Sequence, residues 1–121
     1  MTTEQLEVLE QLARRAVACK RWRWMDGMLY KQDGVGVRPV IATAPIIQGG
    51  GLPDLRDPAT LGCLLALVRE AWGEPNAYLM GSVTGRWTVT RFLERDGHWK
   101  ALCKSEATEA AALVAALEAS P

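Results

Sequence analysis

Apolar residues recur at helical spacing over positions 4–18, where Leu6, Leu9, Leu12, Ala13, Ala16 and Val17 fall on one face. Glutamates come early and Arg14 and Arg15 late, as the helix dipole prefers, so the spacing predicts an amphipathic first helix. From Trp22 to Tyr30 the residues are bulky or β-favouring. A turn signal at Asp33–Gly34 then leads to Val35, Val37, Val40 and Ile41, which predicts two antiparallel strands. Positions 42–56 hold Pro45, Gly49–Gly51 and Pro53, a composition that reads as a flexible loop.

Asp57 followed by Pro58 is a helix start, and Leu61, Leu64, Leu65, Val68, Ala71 and Trp72 form an apolar stripe that stops at Gly73 and Pro75. Strands are expected near Ala77–Val83, Arg86–Glu94 and His98–Cys103, separated by turns at Thr84–Gly85 and Asp96–Gly97. Ser105 is the expected cap of a last, Ala-rich helix in which Ala110, Leu113, Val114 and Leu117 repeat at helical spacing. The order α-β-β-α-β-β-β-α predicts an α+β fold, an antiparallel sheet covered by helices. With 121 residues, a single α+β domain over 1–121 is the expected arrangement. The small side chains of the last helix permit close approach to a neighbour, either its own sheet or a second copy in a homodimer.

Composition changes this picture only by exclusion. The longest apolar run, Leu61 to Val68, is far shorter than a membrane span needs. The first ten residues carry Glu4, Glu7 and Glu10 and no basic residue, the reverse of a secretory leader, so a cytoplasmic protein is expected. Cys19, Cys63 and Cys103 are widely spaced, which fits reduced core thiols better than a metal site or a disulfide framework. His98 is the sole histidine, and Gly81-Ser82-Val83 lacks the second glycine of a nucleophile elbow. The glycine triplet stands several residues ahead of the next helix, with no Lys-Ser/Thr after it. No catalytic residues, metal or cofactor are therefore expected; a small hydrolase built on His98 is a minor option.

The most unusual segment is Cys19-Lys20-Arg21-Trp22-Arg23-Trp24-Met25. On a strand, Arg21 and Arg23 face away from Trp22 and Trp24. The bland reading buries the tryptophans under a helix and leaves the arginines in water. The functional reading makes the segment a binding surface, because Trp and Arg are enriched at interface hot spots. Charge is balanced overall, with 14 basic and 14 acidic residues, yet the stretch from Arg14 to Arg38 carries seven basic residues against two acids. Arg86 to Lys104 adds five basic against two. If both lie in one sheet, Arg21, Trp22, Arg23, Trp24, Arg86, Arg91 and Lys100 are candidate binding residues for an acidic protein, a nucleic acid or a nucleotide.

Leu52 to Trp72, Arg21-Trp22-Arg23-Trp24-Met25-x-Gly27-Met28 and the tail Glu109 to Ala119 together resemble segments of small uncharacterised proteins encoded by bacteriophages and prophages. The layout is similar to phage domains described as α-β-α sandwiches. The resemblance implies an accessory protein of the infected bacterium rather than a known enzyme. The expectation drawn from it is non-enzymatic binding of a host macromolecule, such as inhibition of a host defence or regulatory protein, with a nucleic-acid or nucleotide module as the alternative.

Overall fold

The computed structural model describes residues 2–32, 36–40, 51–93 and 97–121. It forms two compact units, Met1–Cys63 and Leu64–Pro121. The expected turn at Asp33–Gly34, most of the 42–56 loop and Asp96 lie outside the described residues.

In the first unit, α1 spans Thr3–Ala18. The Thr2 hydroxyl accepts from the Gln5 amide at 3.2 Å, and the Thr2 amide donates to the Gln5 side chain at 2.9 Å. This reciprocal cap satisfies two amides that a helix start otherwise leaves open. Leu12, Ala13 and Ala16 are buried. Strands β1 (Leu29–Gln32), β2 (Gly36–Pro39) and β3 (Leu52–Pro53) form an antiparallel sheet in the order β2-β1-β3. Met28, Tyr30, Val40 and Leu55 join the buried α1 residues in this unit's core.

Helix α2, Pro58–Trp72, begins where Asp57 and Pro58 place it. The Asp57 carboxylate accepts from the Thr60 amide at 2.9 Å, the N-cap geometry. Its end is a Schellman motif: Gly73 adopts φ 65°, its amide donates to the Glu70 carbonyl, and the Glu74 amide donates to the Arg69 carbonyl.

The second unit holds β4 (Tyr78–Gly81), β5 (Trp87–Leu93) and β6 (His98–Ala101), an antiparallel meander in the order β4-β5-β6, and α3 (Glu109–Glu118). Its core includes Leu64, Leu67, Val68, Val89, Leu113, Val114 and Leu117. Trp72 Nε1 donates to the Ala116 carbonyl at 2.8 Å, tying α2 to α3.

The α+β class and the expected element order hold, with the two-residue β3 added inside the segment read as loop. Three details differ. Among the described residues the strands make two sheets rather than one, because each pairs within its own local group. The Arg/Trp segment is not strand: β1 starts at Leu29, and residues 21–28 run through turns closed by Trp22 N to Cys19 O and Met28 N to Met25 O. Among the described residues no ladder partner stands opposite it, and a strand without one leaves its amides unpaired. The cap of α3 is Thr108, not Ser105. Glu106 is still hydrogen-bonded to Trp87 in both directions, so the helix cannot begin before that bridge ends. Of the alanines of α3, Ala110, Ala112 and Ala116 are buried.

Candidate functional site

The Arg/Trp segment keeps its alternation without being a strand. Arg21 and Arg23 are exposed and Trp22 and Trp24 are partly buried. The two indoles meet edge to face at 5.3 Å between centroids, and Trp24 meets Tyr30 the same way at 6.2 Å. Such contacts add to the area the rings bury. Tyr30 is 6% exposed, so the aromatic chain runs inward from the segment to the core of the first unit. Trp22 Nε1 is buried and makes no hydrogen bond among the described residues. The tryptophans thus anchor the segment, and its outward chemistry is that of the two arginines.

Arg86, Arg91 and Lys100 belong to the second unit, and their environments differ. Arg86 is held by Ser105, donating from Nη2 to its carbonyl at 2.6 Å and from Nε to its hydroxyl at 3.3 Å. Arg91 forms an ion pair with Glu74, and its Nε is buried without a hydrogen-bond partner among the described residues. Lys100 stands opposite Arg91 in the β5–β6 ladder and is exposed. A basic patch of three equivalent cations does not form here: Arg91 is neutralised by Glu74 and Arg86 is committed to backbone and hydroxyl oxygens, which leaves Lys100.

The other face of the same ladder carries a feature the charge pattern did not flag. Residues directly paired across antiparallel strands share a face. The register Phe92↔Trp99, Thr90↔Ala101 and Tyr78↔Thr90 therefore puts Tyr78, Phe92 and Trp99 together. Trp99 reaches across β5, meeting Tyr78 edge to face at 5.3 Å and Phe92 at 4.7 Å with a 57° tilt. Thr90 lies between these rings in the ladder and is buried, with its hydroxyl making no hydrogen bond among the described residues. Phe92 is nevertheless 46% exposed and Trp99 51%. All four residues of β6, an edge strand, are exposed. The signal that could have found this cluster is the alternation within the two strands, which puts Phe92 and Trp99 on one face once they pair.

The thiols are ordinary in setting. Cys63 Sγ donates to the Asp26 carbonyl at 3.4 Å, and Cys103 Sγ to the Ala112 carbonyl at 3.5 Å. Burial pushes the Cys63 thiol above the usual range, helped by the negative charges of Asp57 and Asp26, which makes it a poor nucleophile at neutral pH. His98 opens β6, exposed and opposite Leu93. Among the described residues no group of three His, Cys, Asp or Glu side chains could hold a metal ion, and no helix is long and apolar enough to cross a membrane.

No family of known proteins, no curated protein and no solved structure matches the chain.

Proposed function

We propose that this chain is a non-enzymatic accessory protein, of the small kind that phages and prophages encode, which acts in the host cytoplasm by binding a host protein. The reading is supported by the pair Phe92 and Trp99, half-exposed rings in tilted contact on one sheet face at its edge. Covering the exposed half of an aromatic side chain at about 25 cal/mol per Å² is worth roughly 2–3 kcal/mol. Two such rings side by side supply the centre of a modest interface, since hot spots cluster and are rich in Trp. Exposed Lys100, on the opposite face of β6, adds a cation at the rim for an acidic partner.

The test is affinity capture from bacterial lysate on the immobilised chain, run beside a Phe92→Ala/Trp99→Ala variant whose folding is checked by circular dichroism. The expected result is a defined host protein retained by the parent and reduced at least tenfold by the variant. Identical retention by both would overturn this surface as the contact.

A second reading has its own support: exposed aromatic rings on one sheet face are also a stacking platform for single-stranded nucleic acid. Arg21 and Arg23 offer further phosphate contacts in the first unit. Under this reading single-stranded DNA or RNA quenches Trp99 emission, and the quench weakens steeply as salt rises. A flat titration removes it.

A further inference from the structure

The first unit holds a groove that neither reading uses. Leu6, Leu9 and Ala13 line one wall from successive turns of α1, and Leu52, Pro53 and Leu55 line the other from β3 and the turn after it. The groove is open to solvent on one side and offers about 130 Å³. That is close to the roughly 150 Å³ of an engineered apolar cavity that accepts benzene, so the space suits a chain of about five or six heavy atoms.

The rim is charged, and its charges are not balanced. Glu10 and Arg14 neutralise each other at 2.7 Å across one turn of α1. Asp54 and Arg56 do the same in a two-pronged contact, Nε to Oδ1 at 3.1 Å and Nη2 to Oδ2 at 3.4 Å. The Asp54 carboxylate also accepts from the Arg56 amide, which fixes the pair in place. Its hydrogen bond and charge hold the Arg56 guanidinium more firmly protonated than usual. The remaining cation on the groove is Lys31. It is exposed and stands opposite Leu52 in the β1–β3 ladder, so its side chain shares a sheet face with one of the apolar walls.

From an open groove with apolar walls, rimmed by two self-satisfied ion pairs and overlooked by one lysine that makes no ion pair among the described residues, we infer that the first unit binds a short-chain aliphatic monocarboxylate, its carboxylate on Lys31 and its hydrocarbon tail between α1 and β3. The volume sets the tail at four or five carbons. The sign of the leftover charge selects an acid over an amine, because an alkylammonium would meet Lys31 with like charge. A nucleotide is far too large for the space.

The experiment uses the full chain, labelled with nitrogen-15, titrated with pentanoate and separately with pentylammonium while amide resonances are followed. Expected are saturable, millimolar shifts with pentanoate centred on Leu9, Ala13, Lys31 and Leu52, and none with pentylammonium. Lys31→Met should weaken pentanoate at least tenfold, and Lys31→Glu should exchange the preference so that pentylammonium becomes the better ligand. Lys31 is an exposed strand residue, so neither variant threatens the fold, and the amide spectrum itself reports folding. Absence of saturable shifts, equal response to the two ligands, or a Lys31→Met variant that binds like the parent would each overturn the inference.

Discussion

Thr60 shows how much a single hydroxyl carries. It is fully buried, accepts from the Leu29 amide at 2.8 Å and donates to the Asp57 carboxylate at 2.8 Å. One side chain therefore closes the cap of α2 and satisfies the first amide of β1. Thr60→Val keeps the shape but leaves the Leu29 amide without its acceptor, and an unsatisfied buried donor costs about 1–3 kcal/mol. Urea unfolding should show that loss, with Thr60→Ser restoring most of it; an unchanged midpoint in the valine variant would contradict this role. Half of the arrangement was legible, because Asp57-Pro58 reads as a helix start on local chemistry alone. The bond to Leu29, 31 residues away, was not, since nothing in the local pattern marks which amide a threonine will meet. Arg91 makes the same point for charge. A count along the chain treats it as available, whereas Glu74, 17 residues distant, pairs with it.

At the scale of elements, the helices were readable because burial on one face forces a 3.6-residue repeat wherever the helix lies. The ends were readable only where the cap was local: Asp57 and Gly73 held, but Ser105 gave way to Thr108 because the bridge between Trp87 and Glu106 is a tertiary fact. The Arg/Trp segment failed as a strand for a related reason. Alternation describes which residues face water, and residues 21–24 do alternate, but a strand also needs a partner for its amides. The aromatic cluster does not show in a count of charge along the chain; it emerges from register, which pairs Phe92 with Trp99. Within α2, Gly62 is an exposed helical position where an added Cβ meets no atom within 4 Å. Gly62→Ala should therefore stabilise the protein by about 1 kcal/mol, since alanine is that much better in a helix and nothing opposes it sterically. Thermal or urea unfolding followed by circular dichroism would register the gain; a loss instead would mean the methyl is not accommodated.

Over the whole molecule, the formal charge is zero at pH 7 and the sequence pI is about 6.6. A chain with so little net repulsion and two half-exposed rings on one sheet face is poorly protected against self-association near neutrality. Light scattering across pH 5 to 9 should find its maximum close to the isoelectric point, and the Phe92→Ala/Trp99→Ala variant should flatten it. A maximum that persists in the variant would place the sticky surface elsewhere. The parts of the molecule fixed by short-range rules, namely three helices and most strands, were visible in the order of residues. The division into two sheets and two units was not, because it depends on which strands choose each other.

That division falls between Cys63 and Leu64, in the interior of α2 rather than in a linker. A break placed at the boundary would sever a continuous hydrogen-bonded rod, stranding six of its residues with one fragment and nine with the other, each too short to persist alone. Truncation or fusion at that boundary would therefore forfeit the helix.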